Sequence, residues 1–192
     1  MVLTASTMMP LGAVAPDFAL RNIDGQMVQQ SDFAAAAGLL VMFMCNHCPY
    51  VKHIAQELVA LGRKYIPLGI AVVGVNANDA ATYPEDDFAH MREMALRLGY
   101  PFPYLYDETQ AVAKAYHAAC TPDFFLFDCE RRLVYRGQLD GSRPGNTVPV
   151  TGKDLRQALD ALLAEQPITE EQRPSMGCNI KWKPGNAPGY FS

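Results

Sequence analysis

Nothing in the sequence approaches the roughly 20 consecutive apolar residues of a membrane-spanning helix, so no membrane partner is expected. Residues 1–10 carry neither Lys nor Arg and no sustained apolar core, which argues against a secretory signal and makes a cytoplasmic setting the expectation. Long basic runs are missing too. With a formal net charge of −4 and only isolated pairs such as Arg131-Arg132 and Lys181/Lys183, the chain offers no nucleic-acid surface. Of five cysteines, only two share a C-x-x-C spacing, so half of a four-ligand zinc site has no second half. No metal and no cofactor are therefore expected. A purely structural disulfide is disfavoured as well, because such bonds are rare in reducing compartments.

What is present suffices for one soluble domain: 192 residues, 49% of them hydrophobic, can bury a full core without disulfide staples. The two spaced cysteines, Cys45 and Cys48, lie where the apolar run 39–44 meets an amphipathic stretch opening at Pro49. A helix begins with unpaired N–H groups and a partial positive charge, which eases ionisation of a nearby thiol. Proline is tolerated in the first turn. That limits the cap to Asn46, His47 or Cys48, with Asn46 the best acceptor for a free N–H. Cys45 then lies outside the helix and Cys48 in its first turn. On this placement Cys45 is the more exposed sulfur and the expected attacker, Cys48 resolves the mixed disulfide, and His47 carries protons or stabilises a thiolate when protonated.

The remaining pattern alternates in the manner of an α/β fold. Segments 17–21 and 26–30 flank Asp24-Gly25, a hairpin signal. The runs 39–44 and 70–76 read as buried strands because they lack polar alternation. Val51, Ile54, Leu58, Leu61 and Tyr65 form one helical face, and His53 falls on the opposite, solvated one. Thr82 and Glu85 match a capping box around Pro84 and predict a helix to Gly99, with His90 on its surface. A short extended link at 102–106 leads to a helix capped by 107–110 and running to 117, then to a hairpin of 124–127 and 133–139 turning near Glu130-Arg131. Residues 151–154 cap a final helix.

Three segments, 12–18 (GAVAPDF), 43–51 (FMCNHCPYV) and 121–128 (TPDFFLFD), together resemble the AhpC/TSA, peroxiredoxin-like branch of the thioredoxin superfamily. The C-terminal 177–183 (GCNIKWK) is similar to a tail in a bacterial subgroup of thioredoxin-like proteins within that branch. The resemblance implies a thioredoxin-like domain over 1–166, with an N-terminal β extension and a central mixed sheet flanked by helices, and an extended tail, 167–192, packed on it. It also implies a cis Pro122 opposite the cysteines, leaving the Thr121 backbone free to pair with a substrate strand.

Two departures narrow the chemistry. The peroxidatic pattern of peroxiredoxins, P-x-x-x-T/S-x-x-C, aligns its nucleophile with Cys48, yet Val41 replaces the proline, Cys45 replaces the Thr, and no arginine stands near Pro122. Peroxide cleavage needs polar donors for the departing oxygen. Thiol peroxidase activity is thus the alternative, and thiol–disulfide exchange the preferred reading. A metal-binding or copper-delivery role through Cys45, Cys48 and a histidine ranks last. Met44 stands where thioredoxins carry Trp, and Asn46-His47 replaces Gly-Pro. A histidine before the second cysteine resembles protein disulfide isomerase and predicts a pair less reducing than thioredoxin.

The expected activity is a thiol–disulfide oxidoreductase serving antioxidant or redox homeostasis. Its expected partners are a protein or small-molecule disulfide substrate and a dithiol donor such as a thioredoxin system. Thr121 and Pro122 would shape the docking surface. Alternation of Met176, Cys178, Ile180 and Trp182 predicts an extended tail segment. Cys178 is an additional redox candidate should the tail reach Cys45; anchorage on a remote surface is the preferred expectation, because alternation indicates packing but not location.

Overall fold

The computed structural model describes residues 3–191; Met1, Val2 and Ser192 lie outside the described residues. The strands are β1 (Leu3–Ala5), β2 (Ala19–Asn22), β3 (Met27–Gln29), β4 (Gly38–Phe43), β5 (Ile70–Asn76), β6 (Tyr104–Tyr106), β7 (Cys120–Thr121), β8 (Asp123–Phe127), β9 (Leu133–Gly137) and β10 (Met176–Asn179). Helices α1 (Pro49–Tyr65), α2 (Phe88–Leu98), α3 (Ala111–Ala115) and α4 (Lys153–Leu163) are interleaved with them. Seven strands form the central sheet in the order β3-β2-β6-β5-β4-β8-β9, and three form a smaller sheet, β1-β10-β7. In the large sheet β4, β5 and β6 run parallel, while β8, β9 and the β2-β3 hairpin are antiparallel to their neighbours.

The apolar run that opens at Leu39 works because both faces of β4 are covered. Leu40 and Met42, continued by Met44, pack with Val51, Ile54 and Leu58 of α1, Met91 of α2 and Leu155 of α4. Leu39, Val41 and Phe43 face the other way, towards Val73 and Val75, Phe125, and Val112, Ala113 and Tyr116 at α3. Period-two side-chain alternation thus feeds two cores, and each fully buried Val, Leu or Phe contributes about 1.5–3 kcal/mol by leaving water.

Helix boundaries correct several expectations. Cys48, not Asn46, is the N-cap of α1, with extended backbone (φ −66°, ψ 123°) and Pro49 immediately inside. Asn46 has other partners: its amide donates to the Glu85 carbonyl, and its side-chain oxygen accepts from Tyr104 Oη. No capping box forms at Thr82, whose hydroxyl donates to Asp79 instead. Residues Pro84–Asp86 make a short 3₁₀ turn, and α2 is capped by Asp87, which accepts from the His90 N–H. The helix expected to extend to 117 is the single turn α3, and α4 starts from the left-handed Gly152 without a side-chain cap. There the Thr151 and Gly152 N–H groups are taken by Asp140.

Candidate active site

Cys45 follows the C-terminal end of the interior strand β4, and the start of α1 holds Cys48 beside it. The Thr121-Pro122 bond between β7 and β8 is cis, as the resemblance implied. Cys45 was expected to be the more exposed sulfur, but both sulfurs are buried. Cys45 retains 1% exposure and Cys48 none. Cys45 Sγ lies 3.3 Å from the Thr121 hydroxyl, and the Cys48 thiol donates to the Thr121 carbonyl at 3.2 Å. All five cysteines are thiols rather than disulfides.

The order of ionisation differs from the expectation that Cys45 is the attacking thiolate. Burial raises the Cys45 thiol well above its ordinary range, reinforced by its neighbour Cys48 and by the negative charge of Asp86. Cys48 is lowered to about 5: the Cys45 thiol donates to its sulfur, burial opposes this, and further hydrogen bonds come from the Cys178 thiol and from the Val51 and Cys178 main chain. The Thr121 carbonyl works against a thiolate, so these donors hold the charge in spite of it. The first proton to leave the pair therefore comes from Cys48, the residue at the helix terminus.

The intervening loop is stapled by a residue that carried no signal in the sequence. Asp86, fully buried, accepts from the Asn46 and His47 N–H groups through Oδ1 and from His47 Nδ1 and Asn78 Nδ2 through Oδ2. Burial pushes this carboxyl up, yet the hydrogen bonds from His47 and Asn78, the charge of His47 and the Asn46 N–H bring it below the usual carboxylate value. His47, partly exposed, stacks on Tyr83 with ring centroids 5.4 Å apart. A cleft of about 380 Å³ opens beside it, lined in part by Asn46, Lys52, His90 and Arg97. His53 is exposed as expected and bonds Ser142.

Cys45, His47 and Asp86 bring their donor atoms within 4.8 Å of one another, the one such group found among the described residues. Since both Asp86 oxygens already accept two hydrogen bonds each, the carboxylate is saturated as a loop anchor. The metal alternative, moreover, drew on Cys48 rather than on a carboxylate. Arg143, which lines a hollow with Pro122, directs its guanidinium to Gln138, Asp140 and Ser142.

The tail overturns two further expectations. Strand β10 lies antiparallel to β7, with Cys178 opposite Thr121 and Asn179 opposite Cys120, and β1 covers its other edge. The Thr121 backbone is therefore not free for a substrate strand. Nor is the tail a remote anchor: Cys178 is buried and hydrogen-bonds Cys48, not Cys45, the sulfur named in the less favoured alternative. Trp182 belongs elsewhere, packed on the second core and 6.3 Å from the Phe191 ring.

A mixed sheet with helices on both faces, a dithiol at the start of a helix and a cis-proline beside it define a thioredoxin-like fold. Within that class the chain belongs to the AhpC/TSA family, whose model matches residues 11–136. A conserved, uncharacterized protein from Geobacillus kaustophilus is 57% identical, with a TM-score of 0.94 over 96% of this chain and 98% of that one. The thiol-disulfide oxidoreductase ResA of Geobacillus thermodenitrificans is 26% identical over 162 residues, 83% of this chain and 82% of that protein. Chloroplastic peroxiredoxin Q of Triticum aestivum is 28% identical over 103 residues, which cover 54% of this chain and 44% of that one. The family and these relatives support redox enzyme activity acting on disulfides or, in the peroxiredoxin manner, on peroxides.

Proposed function

We propose that the protein is a thiol–disulfide oxidoreductase working through Cys45 and Cys48 in cellular redox homeostasis. The observation that carries this reading is the placement of two free thiols against one residue at the start of α1: Cys45 Sγ lies 3.3 Å from the Thr121 hydroxyl and Cys48, the N-cap, 3.2 Å from the Thr121 carbonyl, with hydrogen bonds that favour the thiolate at Cys48. Cys48 thiolate attacks one sulfur of a substrate disulfide and releases the other as a thiolate, which takes up a proton. Cys45 then loses its proton and attacks the Cys48 sulfur, freeing the substrate's second thiol and leaving a Cys45–Cys48 disulfide. A dithiol donor of the thioredoxin type returns the pair to its reduced form. His47, oriented by Asp86, carries the protons between the buried pair and the cleft.

The low ionisation of Cys48 also favours a second reading, thiol peroxidase, because the peroxidatic position aligns with that residue. Against it stands the commitment of Arg143 to other acceptors. The two are separated by supplying glutathione disulfide or a hydroperoxide to the reduced enzyme with a thioredoxin system as donor. Disulfide should be consumed at least roughly tenfold faster, equivalent to about 1.4 kcal/mol of transition-state stabilisation. The opposite order would establish the peroxidase.

Asp86→Asn offers a check on the positioning of His47. It keeps the shape but withdraws the charge and one acceptor, so exchange should slow roughly tenfold and the reduced fold should lose about 1–3 kcal/mol. The folded carboxyl is depressed, so its contribution is present above the unfolded carboxylate pKa and vanishes as pH falls through the folded value. The rate deficit of the variant should accordingly shrink in acid. A deficit constant with pH would mean that the charge of Asp86 plays no part.

A further inference from the structure

Strand β10 docks on the Thr121 edge in the manner of an added strand, the mode by which extended polypeptides bind a free sheet edge. It does so at very close range. A Cβ on Gly177 would stand 2.0 Å from the Thr121 carbonyl oxygen and 3.1 Å from the Pro122 nitrogen, so only glycine permits this approach. The strand is held on both sides of Cys178. Upstream, the Ser175 hydroxyl donates to the Pro122 carbonyl at 2.6 Å, and Ser6 N–H donates to the Ser175 carbonyl at 2.9 Å. Downstream, Lys181 N–H donates to Asn78 Oδ1 at 2.8 Å, and its carbonyl accepts from Asp79 N–H and Gln110 Nε2. Cys178 is thereby fixed opposite Thr121, the residue whose carbonyl meets Cys48. The Cys48 sulfur is hydrogen-bonded by two thiols, Cys45 from its own loop and Cys178 from the tail.

We propose that Cys178 is a third redox residue of this site: it exchanges with the Cys45–Cys48 disulfide to give a Cys48–Cys178 disulfide, with β10 standing where a substrate strand would lie. The inference rests on the thiol–disulfide reading above. In the exchange the Cys178 thiol loses its proton and its sulfur attacks Cys48. The Cys45–Cys48 bond breaks as the Cys48–Cys178 bond forms, and Cys45 leaves as a thiolate that takes up a proton beside the Thr121 hydroxyl. One disulfide replaces another, so no external oxidant or reductant enters the step. Fixed in place, Cys178 reacts as an intramolecular thiol and has the advantage of proximity over any free thiol in solution. The oxidising equivalent passes from the loop to the tail, and the tail is then covalently fastened over the site.

The test oxidises Cys45→Ser with glutathione disulfide, blocks remaining thiols, and maps linkages by mass spectrometry without reduction. A Cys48–Cys178 link is expected in most chains. A glutathione adduct left on Cys48, with Cys178 alkylated, would overturn the relay. Wild type, oxidised in the same way, keeps the question open to measurement should Cys45→Ser not fold. There the Cys48–Cys178 link should stand at no less than roughly a hundredth of the Cys45–Cys48 link, a bound of about 2.7 kcal/mol between the two disulfides; a lower value rejects the proposal. The Cys45–Cys48 link in wild type reports separately on the parent reading. If it forms while the tail link does not, only the relay fails; if neither forms, the thiol–disulfide reading fails with it.

Discussion

Cys48→Ser is expected to lower disulfide turnover by at least about a thousandfold and to erase the ionisation near pH 5 from the ultraviolet thiolate absorbance of the reduced protein. Serine keeps the size of the side chain and can still donate to the Thr121 carbonyl, so the N-cap geometry survives while the nucleophile is lost. In Cys45→Ser the titration should persist, because the serine hydroxyl can donate to the Cys48 sulfur in place of the Cys45 thiol, and the mixed disulfide should accumulate or pass to Cys178. The depressed ionisation has a consequence for stability. An unfolded cysteine titrates near about 8.5, so the thiolate's contribution to the reduced fold is fully present above that pH. It is lost progressively as pH falls through about 5. The difference in thermal midpoint between reduced wild type and Cys48→Ser should therefore narrow from pH 8.5 to pH 5. A titration that disappears in Cys45→Ser and persists in Cys48→Ser would return the ionised sulfur to the position outside the helix.

The difference between the two assignments illustrates what the sequence could carry. Pro49 located the start of α1 to within a residue, because its missing N–H restricts it to the first turn whatever surrounds it. The choice of cap depended on neighbours that are remote in sequence. Asn46 has the better capping chemistry, but Glu85 and Tyr104 compete for its side chain across the fold. The same competition dissolved the Thr82–Glu85 pattern, where Asp79 takes the hydroxyl. Asp86 sits beside Asp87, and nothing local says that one is buried under the Cys45–Cys48 loop while the other caps an exposed helix end. Hydrophobic periodicity did better where one element dominates. It defined the run behind Cys45 as a strand covered on both faces, and it marked the stretch around Cys178 as extended. It could not say that this stretch crosses the active site, since its partners, Thr121 and Leu3, are far away along the chain.

Gly177→Ala should open the site that β10 closes. The added Cβ meets main-chain atoms of Thr121, which cannot swing aside as the end of a side chain can, so the strand itself must give way. About 1–3 kcal/mol of stability is expected to go with the lost packing. The larger effect is chemical. Displacing β10 uncovers two sulfurs that are together almost wholly buried, so alkylation of Cys48 in the reduced protein should accelerate by at least roughly tenfold, the gain that about 1.4 kcal/mol less opening free energy provides. It also withdraws the Cys178 thiol and N–H from the Cys48 sulfur, so the ionisation near 5 should move up towards the ordinary cysteine range. Gly189→Ala, in the same tail but with open space around its Cβ, serves as the control and should change neither quantity. Faster alkylation with an unmoved titration would mean that the tail gates access while the helix terminus and Cys45 alone hold the thiolate. If neither quantity moved, β10 could not be what seals the cysteines, and the thiolate would owe nothing to the tail.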